Sequence, residues 1–378
     1  MRKGAFYTGE YRNAFAECGY DQAEIENRVQ GIWEALFKDE SSPYRIYFET
    51  EDSGYMLDTG NDDARSEGMS YGMMMALQMG DQEVFNRLWK WSYENMYHQS
   101  GFHKGYFAWH CTPDGEKIDD GPAPDGEEFF AMALFLAAKR WGNGTGIYEY
   151  DKMARQILSD CLHKGTELEG DSMWNLENYL IKFVPGVEFS DPSYHVPHFY
   201  ELFAHSANEE DRDFWSKAAK ASRDYIAISA HPETGMTPEY AYYDGTPNDE
   251  RGFGHFYSDS YRTAANIGLD YEWFGNEHTP VTVVEKLHTY FKGIPAEAYK
   301  KYQIDGTPFD EESRHPIGLL ATNAMAALAY DDVTKGREYI ERLWETPLRD
   351  GRNRYYDNCL YFFAFLALSG KYRMWEKE

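Results

Sequence analysis

The sequence predicts an all-α protein, with about twelve helices paired into a closed double ring and a groove at one end. Three observations lead there. Apolar residues recur at three- and four-residue steps through most of the 378 residues. Strand-like alternation is sparse, with 44–48 and 180–184 the best cases. No Ser/Gly linker or low-complexity run divides the chain, so one compact domain spanning 1–378 is expected.

The first helical pattern covers 14–37, and a second, rich in Met, covers 68–79. Val84, Leu88 and Trp91 mark the third, and Phe130, Ala133, Leu134 and Ala137 the fourth. Eight more follow at 148–162, 194–207, 214–228, 260–271, 281–290, 317–328, 339–343 and 356–368. The segments share no sequence identity, so this is no TPR-like array. The loops between them are polar and rich in Gly, Pro and Asp. Loops gathered at one end of such a ring would form the groove.

Composition narrows the function. With 37 Lys and Arg against 64 Asp and Glu, the formal net charge is −27, which repels phosphate backbones and anionic lipid. Neither nucleic acid nor a membrane surface is therefore an expected partner. The 10 Trp, 31 Tyr and 23 Phe suit a sugar ligand, whose C–H faces stack on rings, though a large aromatic core would use them too. Cys18, Cys111, Cys161 and Cys359 lie far apart and form no C-x-x-C, so neither a zinc ribbon nor a dithiol motif is suggested. The start Met1-Arg2-Lys3-Gly4 is followed by no apolar secretory stretch, and no run spans a bilayer. The cytoplasm is the expected address.

Three acidic segments could carry chemistry. Glu67 opens an apolar helix in Ser66-Glu67-Gly68-Met69-Ser70-Tyr71-Gly72-Met73. A carboxyl entering a dry site stays neutral more easily, as a general acid requires. On local grounds a helix-start Glu favoured by the macrodipole is the simpler account. Within the same segment Gly68-Met69-Ser70-Tyr71-Gly72 matches a nucleophile elbow, but no apolar strand precedes it. Asp125, in Pro122-Ala123-Pro124-Asp125-Gly126-Glu127-Glu128, stands where an N-cap belongs. Asp259 precedes another helix between aromatic flanks, in His255-Phe256-Tyr257-Ser258-Asp259-Ser260-Tyr261-Arg262. His195 and His198 are ligand-type residues three apart with no evident third partner, and Arg251-Gly252-Phe253-Gly254 lacks the rest of a phosphate loop.

With Glu67, Asp125 and Asp259 in view, the sequence resembles glycoside hydrolase family 8. The segment Ser66 to Met73 is similar to its acid-bearing signature S-E-G-x-S-Y-G-M. The run from Ala123 to Trp141 resembles its second signature, with Pro124 in place of Ser/Thr and Glu127 in place of the second Asp. The likeness runs from about Tyr7 to Trp375. The segments around Asp125, Tyr194 and His315 look most similar to the reducing-end xylose-releasing exo-oligoxylanases. That resemblance implies an (α/α)6 barrel acting on xylo-oligosaccharides with inversion, and no metal or cofactor. It implies Glu67 as general acid, Asp259 as general base and Asp125 holding the sugar. It further implies Trp109 and Tyr194 as groove aromatics, Arg262 beside the base, and His315 in the loop closing the product side. Either Tyr355 or Tyr356 would approach the attacking water. An endo-acting xylanase, glucanase or chitosanase of the same family is the nearest rival, and a non-catalytic sugar-binding protein a remote one. Oligomeric state is left open.

Overall fold

Helix dominates the computed structural model, which describes residues 2–375. Among them, two single turns, Ala5–Thr8 and Ala14–Glu17, precede twelve longer helices. In chain order these are α1 Gln22–Trp33, α2 Ser66–Met79, α3 Gln82–Asn95, α4 Pro124–Trp141, α5 Tyr150–His163, α6 Pro197–Ser206, α7 Arg212–Ser229, α8 Arg262–Phe274, α9 Val281–Phe291, α10 Pro316–Ala326, α11 Arg337–Glu345 and α12 Arg354–Leu368.

The even-numbered helices form the inner ring, α2 packing on α4, α4 on α6, and so on until α12 meets α2. Each odd-numbered helix lies outside, against an inner neighbour, and α1 packs on α12. This is the (α/α)6 barrel. The two rings follow from two kinds of helix. Inner α12 is buried from Tyr355 through Leu368, and α2 at every position from Gly68 to Gln78, as expected of helices apolar all round. Outer α3 buries Val84, Phe85, Leu88, Trp89 and Trp91 on one face, and α11 only Tyr339, Ile340 and Leu343. Pro124, Pro197 and Pro316 open three inner helices, at the position where a missing N–H costs nothing.

All twelve expected segments are helical, with two local differences. The pattern over 14–37 is interrupted, because Gly19 adopts φ 102° and Asp21 then caps α1 by accepting from the amides of Ala23 and Glu24. The stretch 180–184 is not a strand: its alternation reflects loop residues, with a single bridge from Ile181 to Trp174. The stretch 44–48 does contribute, since Tyr47–Glu49 pairs antiparallel with Gly54–Met56. Two more small sheets frame the rim. Ala64–Arg65, His110–Cys111 and Lys117–Asp119 form one, and Lys300–Tyr302 with Pro308–Glu312 the other. In the first, Arg65 pairs with His110, and the Ser66 amide donates to the Trp109 carbonyl at 3.1 Å. That pairing sets Trp109 beside the start of α2. No helix of the described residues is long and apolar enough to cross a membrane.

The ring is closed by its ends. The buried Arg12 guanidinium bonds Glu272 at 2.6 Å and the Tyr330 carbonyl at 2.6 Å, tying the N-terminal segment to α8 and the end of α10. Phe15 packs on Phe365 of α12 at 5.0 Å, and Trp375 donates to Gln78 of α2. Between α8 and α10 the backbones approach so closely that a Cβ on Gly268 would meet the Met325 carbonyl oxygen at 2.5 Å and the Ala326 Cα at 2.9 Å. Helix propensity favours Ala over Gly by about 1 kcal/mol, whereas overpacking a tight core costs ~1–3 kcal/mol. The obstructing atoms are backbone and cannot rotate away, so overpacking dominates. Gly268→Ala is expected to lower the thermal midpoint by about 1–3 °C, measured by calorimetry, despite its better propensity.

Candidate active site

The first turns of the inner helices meet at one end of the barrel. Glu67 lies in the first turn of α2, Asp125 in that of α4, and Tyr355 and Tyr356 in that of α12. Tyr194 ends a short turn just before α6, Asp259 lies in a 3-10 turn just before α8, and His315 caps α10. Each helix N-terminus carries about +0.5 elementary charge, so the arrangement favours anionic side chains there.

Arg262 joins these residues. Its buried guanidinium donates from Nη1 to Glu67 Oε2 at 2.8 Å, Asp125 Oδ2 at 3.0 Å and the Tyr71 hydroxyl at 3.0 Å. Nη2 donates to Ser193 Oγ at 2.9 Å and stands 3.6 Å from Asp259 Oδ1. Glu67 Oε1 accepts from the Tyr355 hydroxyl at 2.9 Å. Burial pushes the Glu67 carboxyl up to about 7, against Arg262, with the charges of Asp125 and Asp259 adding to the rise. Asp125 is likewise raised by burial to about 6, again opposed by Arg262. Desolvation thus outweighs both the helix termini and the guanidinium. The side chain of Asp259 is 39% exposed against 16% for Glu67, which leaves it facing solvent while Glu67 turns into the protein. The two carboxyls reach opposite nitrogens of the guanidinium, one dry and one wet.

A groove runs past them in two lobes. The larger, about 550 Å³, is lined by Trp109, Asp125, Phe183, Tyr194, Tyr240 and Arg262. The smaller, about 310 Å³, is walled by Arg314, His315, Asn353, Tyr355 and Tyr356. Glu67 and Asp259 line both, so the carboxylate pair stands at the junction. Trp109 lies under the Arg65 guanidinium at 5.3 Å and Tyr194 beside Arg262 at 5.5 Å, which fixes both rings. His315 Nδ1 is 3.1 Å from Asp357 Oδ2 and its ring meets Tyr356 edge-on at 4.9 Å. The two tyrosines left open by the sequence divide the work, Tyr355 bonding Glu67 and Tyr356 donating to the Ser258 carbonyl at 3.1 Å, beside Asp259.

All seven expected site residues therefore line one groove. Other candidates lie elsewhere. Ser70 is fully buried and donates to the Glu67 carbonyl of its own helix at 2.9 Å, so it is no nucleophile. His195 spends both ring nitrogens on Ser190 and Ser222, and His198 is buried against Trp273. Burial holds each imidazole neutral, with its pKa down at about 3. Among the described residues, no group of three or more His, Cys, Asp or Glu is arranged to hold a metal. Three participants escaped the sequence reading. Tyr71 stands one turn after Glu67, a spacing that puts both on one helix face. Ser193 adjoins Tyr194, and Asp357 follows the two tyrosines. Asp357 orients His315 while accepting from the Gly318 amide at 2.6 Å and from Arg349.

Comparison with known proteins agrees with this geometry. A family model described as glycosyl hydrolases family 8 matches residues 12–370. A reducing end xylose-releasing exo-oligoxylanase from Halalkalibacterium halodurans is 57% identical over 378 residues, covering 100% of this chain and 97% of that one. Rex8A of Paenibacillus barcinonensis, a reducing-end xylose-releasing exo-oligoxylanase, is 55% identical over 377 residues, covering 99% of each. A solved structure of Rex8A complexed with xylose superposes with a TM-score of 0.96 at 55% identity, over 99% of this chain and 100% of that one.

The electrostatics carry a direct test. Arg262 is the chief group favouring ionised Glu67, so its removal leaves burial opposed mainly by the Tyr355 hydroxyl. Carbon-13 NMR of labelled Glu67 is expected to titrate near pH 7 in the native protein and distinctly higher in Arg262→Met.

Proposed function

The chain belongs to glycosyl hydrolases family 8, and we propose that it hydrolyses β-1,4-linked xylo-oligosaccharides with inversion, releasing xylose from the reducing end. The observation that carries this reading is the position of Glu67 and Asp259 at the junction of a larger lobe and a smaller one. A chain laid along the groove is cut near one end rather than in its middle.

Glu67, with its pKa of about 7, keeps a large protonated fraction near neutrality and gives its proton to the leaving glycosidic oxygen. As that proton departs, the carboxylate left behind is held by Arg262 and the Tyr355 hydroxyl, so both bonds strengthen along the reaction. Asp259, wet and across the guanidinium, takes a proton from the attacking water as that water's oxygen bonds the anomeric carbon. Water between acid and base gives inversion, which calls for a carboxyl separation of roughly 6.5–9.5 Å. Asp125, held by Arg262 and the Gly126 amide, offers an acceptor to the sugar at the cleavage point. Trp109 and Tyr194 provide the faces on which sugars of the larger lobe stack. His315, its Nδ1 engaged by Asp357, presents Nε2 to the terminal anomeric hydroxyl in the smaller lobe. The whole chain acts as one catalytic barrel. Its charge of −27 speaks against nucleic-acid or anionic-membrane partners, and the cytoplasm is its proposed place of work.

Glu67→Gln and Asp259→Asn are expected to lower turnover on xylotriose by about 10²–10⁴-fold each with circular dichroism unchanged. Early proton NMR should show the newly formed reducing ends as α-anomers. Retention of more than a few per cent of activity, or a β product, would remove the assigned roles.

Direction of attack is tested separately. The enzyme should release single xylose units from the reducing end and cleave alditol-capped xylotriose poorly, because the capped sugar leaves the His315 partner unmet. His315→Ala should narrow that difference while the carboxylate chemistry persists. Equal rates on capped and free xylotriose in the wild type would favour an endo-acting enzyme.

A further inference from the structure

The turn that carries Asp259 is strained. Ser258, immediately before it, has φ 21°, outside the regions an L-residue favours. Such a conformation persists only where its surroundings over-determine it. Two of the restraints are already described or local: the Tyr356 hydroxyl on the Ser258 carbonyl, and Ser260 Oγ bridging the amide and carbonyl of Tyr257. The third lies underneath. Glu239 is 4% exposed, its own amide donates to the His255 carbonyl at 2.9 Å, and the Asp259 amide points at its carboxyl. The neighbouring Thr237 hydroxyl reaches Thr263 of α8, so the 236–241 segment runs beneath the whole turn.

From the buried carboxyl, the strained turn above it and the main-chain contact between them, we propose that Glu239 is a positioning residue for the general base, its carboxyl holding the turn that carries Asp259. The proposal rests on the reading of Asp259 as base. The groups facing Glu239 agree with a neutral form. Asp259 is the carboxylate beside it, the fully buried Asp191 is itself pushed well up by burial, the Tyr240 and Tyr261 hydroxyls lie near, and Lys301 is the opposing cation. Burial, reinforced by Asp259 and Asp191, pushes Glu239 up to about 9. An un-ionised carboxyl still accepts the Asp259 amide through its carbonyl oxygen, and it adds no second negative charge beside the base.

Steady-state kinetics on xylotriose at pH 6 test this with Glu239→Ala, Glu239→Gln and Asp259→Asn. Glutamine keeps the carbonyl acceptor and a neutral donor, so Glu239→Gln should retain at least about a third of kcat if the hydrogen bond and not the charge is what matters. Glu239→Ala frees the turn and should lower kcat about 10²-fold while KM changes less than about threefold, since misplacing a reacting group by 1 Å costs that much. Should the alanine variant fail to fold by circular dichroism, Glu239→Asp, which withdraws the carboxyl by one methylene, carries the same expectation. Wild-type kcat in a folded Ala or Asp variant overturns the inference, as does a Gln variant as impaired as Ala. Activity retained by Asp259→Asn would instead overturn the base assignment itself, a result legible without any Glu239 variant.

Discussion

The site depends on one buried cation. Arg262 sits among Glu67, Asp125 and Asp259 with Tyr71 and Ser193 completing its donors, and its guanidinium is nearly inaccessible to water. Removing one partner of a buried ion pair typically costs about 3–5 kcal/mol, because the remaining charge is left uncompensated. Here several carboxyls share the same partner. Burial drives them towards their neutral forms and Arg262 pulls them back, and the balance leaves Glu67 near 7 and Asp125 near 6. Neither force alone would give a group that both holds a proton and releases it readily at neutral pH. The rigid fork of an arginine matters too, since an ammonium is a point charge that cannot address three side chains in fixed directions.

Much of this was readable from the chain, for identifiable reasons. The inner helices announce themselves because they are largely apolar all round, and four of the six start at proline or serine. Glu67, Asp125 and Asp259 stand out as acids at those starts. What could not be read is rotation and long-range pairing. Tyr355 and Tyr356 are adjacent, about 100° apart around α12, and only the packed helix shows that one meets Glu67 and the other Ser258. Asp357 gives no signal in the sequence, because its partners His315 and Gly318 are about forty residues away. The stretch 180–184 misled because Ile181 and Phe183 stand two apart for packing in an irregular loop, Phe183 stacking on Phe189 at 5.6 Å, rather than for pairing in a sheet. The interruption at Gly19 was missed for the opposite reason, since apolar spacing continues across it.

Raised carboxyl pKa values also weigh on stability. Glu67, Asp125 and Glu239 are ionised in an unfolded chain at neutral pH but held back from ionising in the fold. Their contribution therefore falls as pH rises from the unfolded carboxylate range towards the folded values. The apolar double ring beneath supplies the surplus that tolerates this, with most of the large aromatic side chains buried in it.

The closure of the ring bears on how the protein is made. Parts of the groove come from residue 67 and from residue 356, and the last inner helix both completes the barrel and delivers Tyr355 and Tyr356. As the chain leaves the ribosome, helices α2 to α10 emerge with apolar flanks that have no final neighbour. Synthesis at about 5–20 residues per second leaves such flanks uncovered for many seconds. A partly synthesised barrel is thus both inactive and adhesive, and only the seating of its last inner helix ends both conditions at once.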